Sequence, residues 1–177
     1  MRRERTPFRK GIEGFSLIEI VVVCVLIGII AAVIIPPLHQ GVQSFAVTET
    51  RGDLTSQARQ AATRMIRELR NIQKEADNTP NISTANVASI TFVDVLDNTI
   101  TFSLSGSTVQ RNSNPLVEQV SSLQFRYFDA NNTELTSLPL DATNRNNVRR
   151  IMVTLTLAEG SLTVSVTEQA YLRELSG

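Results

Sequence analysis

Apolar positions follow three successive patterns along this chain. An unbroken apolar run comes first, from Phe15 to Ile35, and Glu19 is its only charged residue. Apolar residues then recur at helical spacing as far as Ala76, and after that they alternate in short segments typical of strands. The patterns predict four parts: a basic leader (1–14), a membrane-length helix (15–35), an amphipathic helix (36–76) and a β-rich domain (77–177).

The apolar run is long enough to cross a membrane once. Its 21 residues make a helix of about 32 Å at 1.5 Å per residue, close to the ~30 Å hydrocarbon thickness of a bilayer. The leader before it has a net charge of +3, which favours a cytoplasmic position under the positive-inside rule. A secretory signal fits less well, because Ala31-Ala32-Val33 lacks the small-x-small cleavage pattern.

Residues 77–177 favour an antiparallel sheet. Turn-rich sequence over 77–86 should end the helix, and 140–147 is predicted to be an exposed loop. No helical pattern of crossover length separates the apolar segments, so one antiparallel sheet packed on the second half of the helix, an α+β fold, is expected. The predicted strands are 88–95, 99–105, 121–129, 148–157 and 161–167.

The motif Gly14-Phe15-Ser16-Leu17-Ile18-Glu19, between a basic leader and an apolar helix, resembles the processing signal of type IV prepilins and type II secretion pseudopilins. The resemblance implies that prepilin peptidase cuts after Gly14, removes the leader and N-methylates Phe15. It also implies that Glu19 acts in assembly, neutralising the Phe15 amine of a neighbouring subunit and so selecting the stagger between two helices. A charge in hydrocarbon costs about 2.5–3.5 kcal/mol even on lenient scales, so such a partner is expected.

Pro36-Pro37 follows the apolar run directly. Two prolines remove two backbone donors and clash with the preceding turn, so the helix should kink or briefly break there. Many pilins have a kinking proline at this place.

The amphipathic helix has two distinct faces. Its basic arc contains Arg59, Arg67, Arg70 and Lys74, with Glu68 and Glu75 beside them. This arc has three interpretations: a solvated face, a contact with the acidic surface of a neighbouring subunit, or a DNA contact. Eight residues form the predicted core-facing stripe: Leu54, Ala58, Ala61, Ala62, Met65, Leu69, Ile72 and Ala76.

Composition and motifs argue against several classes of function. Without the leader the chain has a net charge near −3, which argues against nucleic acid as a main partner. Cys24, the single cysteine, cannot form an intramolecular disulfide, and His39 has no second histidine with which to bind a metal. With no phosphate-binding loop and no nucleophile elbow, we expect no enzyme activity, no cofactor and no metal.

Three acidic residues could suggest a calcium loop: Asp94, Asp97 and Asp129. Their spacing is not that of an EF-hand, and each lies in turn-rich sequence. We therefore interpret them as turn residues.

A looser resemblance, over residues 58–72, 90–92, 120–132 and 148–157, is to minor pilins and J-type minor pseudopilins. It implies a structural subunit that joins or primes an inner-membrane-rooted filament, with a periplasmic C-terminal domain. Its partners would be prepilin peptidase, other pilins and the assembly platform. The alternative is a singly anchored periplasmic module that binds DNA or a secreted substrate. The machine stays open among a type IV pilus, a mannose-sensitive-type pilus, type II secretion and DNA uptake.

Overall fold

The computed structural model describes residues 16–172, and for residues 36 and 38–46 it describes the backbone alone. The chain divides into two compact units, Met1–Val47 and Thr48–Gly177. In the first unit the described residues form the beginning of helix α1 (Leu17–Leu69). The second unit contains the rest of α1 and all the strands found within residues 16–172.

Within the first unit, α1 begins immediately after Ser16. Valine and isoleucine dominate its first turns although their branched side chains lower helix propensity. A helix nevertheless satisfies all its backbone hydrogen bonds internally, which is what a lipid environment demands. The structure shows no break at Pro36-Pro37, because α1 is continuous through both. A kink at this point stays a prediction.

In the second unit, α1 packs its apolar stripe into the hydrophobic core. Seven of the predicted residues, Leu54 through Ile72, are buried, which confirms the helical periodicity over this range. Ile66 is buried as well, although the stripe did not include it. Ala76, the eighth predicted residue, is exposed, so its assignment to the stripe is wrong.

Ala76 lies outside the buried stripe because α1 ends at Leu69, earlier than predicted. The last turn tightens, since the amides of Asn71 and Ile72 bond carbonyls three residues back. Beyond it the backbone turns to strand partners: Gln73 N donates to Val93 O at 2.8 Å, and Ile72 forms an antiparallel bridge with Asp94. Residues after Leu69 therefore pair with a strand, although their apolar side chains keep the helical spacing.

Two antiparallel sheets follow, where the sequence predicts one. The first contains five strands in sequential order and the second contains three. The five predicted strand regions all contain strands, with bounds that differ by up to four residues. The strands are β1 (Ile82–Ala85), β2 (Ser89–Val93), β3 (Thr99–Ser105), β4 (Thr108–Arg111), β5 (Asn114–Val117), β6 (Val120–Phe128), β7 (Arg150–Glu159) and β8 (Leu162–Tyr171).

Three strands were not predicted: β1, β4 and β5. Each has only four residues, too few to show a clear alternation. β5 also contains Pro115, which is tolerated because β5 lies at the edge of its sheet. The β4–β5 turn consists of Asn112 and Ser113, both with positive φ, as a type I′ hairpin turn requires.

A single core joins the helix to both sheets. The segment of α1 from Leu54 onward contributes buried side chains together with Phe92 and Phe102 of the first sheet and Phe125 and Tyr127 of the second. The Tyr127 hydroxyl donates to Asn86 O at 2.9 Å, and burial raises the pKa of this phenol well above its ordinary value. The buried hydroxyl of Tyr127 therefore has a hydrogen-bond partner, as buried polar groups require.

The stretch 140–147 differs from the exposed loop that was predicted. Leu140 is buried and its amide donates to Ala85 O at 3.0 Å. The short helix α2 (Ala142–Asn146) follows, with Asp141 as its N-cap accepting from Asn144 N at 2.8 Å. The polar sequence 141–147 suggests a loop, but its aspartate caps a helix turn that Leu140 anchors to the core.

Candidate processing and assembly site

Glu19 lies in the first turn of α1 and is exposed. Ser16 precedes the helix, and its carbonyl accepts from the amides of Glu19 (3.0 Å) and Ile20 (3.2 Å). Glu19 is thus the third helical residue, and Ser-x-x-Glu has the spacing of a capping box. The positive end of the helix dipole favours a carboxylate at this place. Ser16 is a residue that sequence reasoning missed, although this spacing could have indicated it.

The other predicted processing residues, Gly14 and Phe15, lie outside the described residues. Pro36 lies within α1 and its side chain is not described, whereas Pro37 is exposed. His39 also falls where only the backbone is described. Of the predicted site residues, Glu19 is therefore the one whose surroundings are visible in detail.

The apolar part of α1 leaves its side chains exposed. Residues Leu17–Ile35 form one helix of membrane-spanning length and composition, with a mean hydropathy of 3.2 and none of it buried. Large apolar side chains such as Leu17, Ile18 and Val33 are each more than two-thirds exposed. So much apolar surface is stable only against lipid or other apolar helices.

A comparison with sequence families decides the identity of this segment. Residues 9–35 match the prokaryotic N-terminal methylation motif. This chain carries the signature of the type IV prepilins and pseudopilins. The match covers Gly14, Phe15 and Glu19 as well as the whole apolar run. No curated protein matches this prepilin-type chain.

Several broader statements follow from this signature. The motif supports a type IV pilin- or pseudopilin-like protein, and it indicates a structural subunit rather than an enzyme. Its helix followed by antiparallel sheets is a pilin-like α+β architecture. The motif implies processing by prepilin peptidase and assembly with other pilins. The single apolar helix fits a single-pass membrane anchor.

The basic arc of the prepilin-type chain is present only in part. Arg59 and Arg67 are exposed on α1 and have no hydrogen-bond or ion-pair partner within residues 16–172. Arg70 follows the helix, and its Nη2 lies 3.4 Å from Gln169 O. Lys74 lies beyond the end of α1 and its backbone bridges Pro80; Glu75 lies there too. Of the four basic residues predicted for the arc, only Arg59 and Arg67 therefore lie on α1.

Glu68 is not a free member of that arc. It accepts from Arg111 Nε of β4 at 2.7 and 3.0 Å, and Arg64 Nε lies 3.3 Å from it. The pair links the helix to the five-stranded sheet. Sequence reasoning missed Arg111, because nothing in a strand pattern identifies its partner.

The acidic turn residues accept hydrogen bonds from other groups of the same chain. Asp94 accepts from the amides of Leu96 (2.8 Å) and Asn98 (2.9 Å), and the Asn98 amide foremost lowers its pKa. Asp129 accepts from the amides of Asn131 and Thr133 in the same way. Asp97 accepts from Gln73 Nε2 at 2.5 Å. The bonds of Asp94 and Asp129 confirm their interpretation as turn residues. Asp97 is confirmed by its own amide, which donates to Asp94 O at 3.0 Å, and by its positive φ of 62°.

A second cluster that the sequence did not indicate lies on the outer face of the three-stranded sheet. Phe128, Arg150 and Tyr171 are cross-strand neighbours in register. Arg150 is only 7% exposed, and its guanidinium carbon lies 3.7 Å from the centre of the Phe128 ring. Its acceptors are the side-chain oxygens of Gln169 and Asn132, and its buried Nε has no partner. This arginine links the loop after β6 to the sheet through Asn132.

Proposed function

We propose that this chain is a minor pilin or minor pseudopilin. Prepilin peptidase cleaves it between Gly14 and Phe15 and N-methylates Phe15, and the mature chain then joins or primes a filament rooted in the inner membrane. The leader is cytoplasmic and the C-terminal domain periplasmic before assembly. The filament belongs to a type IV pilus or a type II secretion pseudopilus, with roles in adhesion or protein secretion.

The observation that carries the proposal is the methylation motif together with the position of Glu19. The motif match includes the cleavage residues and the apolar run. Glu19 lies exposed in the first turn of α1, four residues from the terminus that cleavage would create. An exposed carboxylate among lipid-facing side chains needs a cation. The methylated amine of a neighbouring Phe15 supplies one, at about 4 kcal/mol for an ion pair 4 Å apart at an effective dielectric near 20, before desolvation.

The minor role is supported by sequence features. Residues 58–72 and 120–132 resemble minor pilins and J-type minor pseudopilins, and Cys24 as the single cysteine excludes the disulfide-closed C-terminal loop common in major pilins. The loop at 129–134 is instead closed by the amide bonds to Asp129 and by Arg150.

The experiment examines the protein in filaments sheared from cells. Mass spectrometry of wild type should find a mature terminus at N-methylated Phe15. Glu19→Ala should reach the membrane and lose its leader normally, yet be recovered poorly in the sheared fraction. Cys24→Ala, in the same apolar segment, is the matched control and should assemble as wild type. Normal recovery of Glu19→Ala would contradict the assembly role of Glu19. An unmethylated protein confined to the membrane would favour the binding-module alternative.

A further inference from the structure

Strand β8 forms one edge of the three-stranded sheet. It has ten residues, and β7 pairs with its whole length without a shift of register. Leu172 continues this register, since its amide donates to Arg149 O at 2.9 Å. In an antiparallel ladder, successive residues of a strand direct their backbone groups to opposite sides. The residues whose amides and carbonyls point away from β7 are therefore Thr163, Ser165, Thr167, Gln169 and Tyr171.

We call these five residues the open edge. Within residues 16–172, no backbone hydrogen bond from outside the sheet reaches them. Arg70 approaches one of them, with its Nη2 3.4 Å from Gln169 O, which is long for a hydrogen bond. All five residues are exposed, so the backbone groups of the open edge are accessible to another molecule.

Other strand edges in the described chain are protected. β5 contains Pro115, and the outer side of β6 is covered where Phe125 N donates to Val87 O at 2.7 Å. β8 has no proline, and Glu168 is its only charged residue. A long, regular edge without such protection is a template for pairing with another chain. The open edge therefore has the features of a strand-binding site.

A cleft lies between the end of α1 and the end of β8. Its lining includes Ile66, Arg67, Arg70, Glu168 and Tyr171. Arg67 and Arg70 are exposed, and neither forms an ion pair within residues 16–172. Two arginines against one glutamate leave the cleft with a surplus of positive charge. Guanidinium groups bind carboxylates through strong, charge-assisted hydrogen bonds.

We propose that the open edge binds an extended segment of another protein, which adds to the sheet as an antiparallel strand and places an acidic side chain beside Arg67 and Arg70. Antiparallel pairing continues the pattern of this sheet and is slightly more stable per residue than parallel pairing. In this mode of recognition, backbone hydrogen bonds give affinity and alternate side chains give specificity. The inference is independent of the proposed function, because every residue in it belongs to the second unit.

The two faces of β8 specify the sequence of the partner strand. Val164 and Ala170 are buried, so alternate side chains of β8 face the core, and an added strand alternates in the same way. Partner residues opposite Val164 and Val166 should be apolar. The residue opposite Ala170 should be acidic, because Arg70 reaches the carbonyl of the preceding residue. An acid opposite Glu168 would be repelled.

A second copy of β8 matches these requirements less well. Two β8 strands paired antiparallel and centred on Thr167, the middle of the open edge, would place Val164 of one copy opposite Ala170 of the other. Both Arg67 and Arg70 would then remain without a carboxylate. Charge therefore favours a partner with a different sequence.

Fluorescence anisotropy with a synthetic peptide tests the proposal. The probe begins with Asp, continues with alternating Thr and Val over the length of 163–170, and has blocked ends. A second peptide begins with Lys instead. With the full chain in detergent, the Asp peptide should bind several-fold more tightly, and high salt should reduce the difference because exposed charges are screened. Equal affinities, or no binding of the Asp peptide, would overturn the proposal.

A substitution in the cleft separates charge recognition from strand pairing. Arg67→Gln should weaken binding of the Asp peptide several-fold and leave the Lys peptide unaffected. Arg59→Gln is the matched control, because Arg59 is also exposed on α1 but does not line the cleft. Equal binding of the Asp peptide by the two variants would contradict the assigned role of the cleft.

A pair of substitutions at Ser165 tests the backbone ladder. Both Ser165→Pro and Ser165→Ala remove the hydroxyl that accepts from Thr156 Oγ1 at 3.2 Å, but only proline removes the outward amide. Proline is tolerated at a strand edge where the amide faces solvent, so the two variants should have similar Tm values. Ser165→Ala should bind the Asp peptide, and Ser165→Pro should not. A folded Ser165→Pro variant that binds like wild type would overturn the proposal.

Hydrogen exchange of the wild-type chain, followed by NMR, gives a measurement that needs no substitution. With the Asp peptide bound, the amides of Thr163, Ser165 and Thr167 should exchange several-fold more slowly. The amide of Val164, which faces β7, should change little. Unchanged exchange at the open edge would overturn the proposal. So would slow exchange without peptide that depends on protein concentration, since it would show that a second copy occupies the edge.

Discussion

Arg150 brings its positive charge onto the outer face of β7, where it has no ion-pair partner among residues 16–172. It stacks on Phe128 and hydrogen-bonds the amide oxygens of Gln169 and Asn132. Arginine suits this place because a planar guanidinium can stack and donate in two directions at once. Such a role is invisible in the sequence, where Arg149-Arg150 looks like an ordinary basic pair.

We predict that Arg150→Lys destabilises the domain. An ammonium cannot stack on Phe128 and reach both amides, so the free energy of unfolding should fall by about 1.5–3 kcal/mol, the range for hydrogen bonds to charged groups. Denaturant unfolding of the full chain in detergent measures this change. Arg51→Lys, at an exposed position, should change stability little. Equal stability of the two variants would show that the stacking has no energetic weight.

Acid should weaken the Arg126–Glu134 ion pair. Hydrogen bonding from Arg126 foremost lowers the pKa of the Glu134 carboxyl below its ordinary value of 4.5. A lowered folded-state pKa means that the contribution is fully present above pH ~4.5 and is lost as the pH falls through the folded-state pKa. Glu134→Gln should therefore lower the Tm at pH 7 and make no difference at strongly acidic pH. Glu159→Gln, at an exposed position outside the ion pairs of residues 16–172, is the control, and an equal deficit at both pH values would contradict the prediction.

At the scale of elements, periodicity predicts which faces are buried but not which elements pair. Seven stripe residues of α1 were predicted correctly, and all five predicted strand regions contain strands. The end of α1, the three short strands and the division into two sheets were not predicted. The end of α1 and the division into two sheets depend on backbone pairing between residues far apart in the sequence, such as Gln73 with Val93, which a local pattern of side chains does not record. The three short strands have only four residues each, too few to show a clear alternation. Glu19 was predicted from its motif, whereas Arg111 and Arg150 depend on contacts made only in the fold.

The link between α1 and β4 should depend on one of the two arginines around Glu68. Arg111 donates to both oxygens of Glu68 and is less than one-third exposed, whereas Arg64 is 55% exposed. Arg111→Ala should cost about 1.5–3 kcal/mol, and Arg64→Ala under ~0.5 kcal/mol. A double-mutant cycle with Glu68→Gln gives each coupling energy from denaturant unfolding. Equal couplings would mean that exposure does not distinguish the two pairs.

The two prolines of α1 give a prediction about assembly. Replacing Pro36 and Pro37 by Ala should restore two backbone donors, raise the helix content and stiffen this part of α1. We expect poorer recovery of the variant in sheared filaments, with circular dichroism measuring helicity. Increased helicity together with wild-type recovery would show that a kink here is dispensable.

At the scale of the whole molecule, the chain combines an apolar helix of membrane-spanning length with a separate folded domain. The two units meet within α1, between Val47 and Thr48. Charge is also distributed unevenly along the chain, because the leader (1–14) has a net charge of +3 and residues 15–177 have about −3. Cleavage would therefore change the protein from neutral to acidic.

Processing should depend on the small side chain at Gly14. Gly14→Leu should leave the leader attached, because a minimal side chain is expected beside the scissile bond. The variant should be heavier than wild type by the mass of its 14 leader residues, as measured by mass spectrometry of the membrane fraction. Gly11→Leu, three residues earlier in the leader, is the control and should be cleaved. A Gly14→Leu protein shortened like wild type would contradict the predicted cleavage site.

The position of Cys24 has a consequence for how the protein matures. The single cysteine lies exposed in the apolar part of α1, and the domain from Thr48 onward contains none. That domain is closed by its helix–sheet core, by Glu68–Arg111 and by the Arg150 cluster, none of which involves sulfur chemistry. Its folding is therefore independent of thiol-oxidising enzymes and unaffected by reductants. Cells that cannot form disulfides should therefore accumulate this subunit to the same level as cells that can. Pilins closed by a disulfide should be degraded in the same cells.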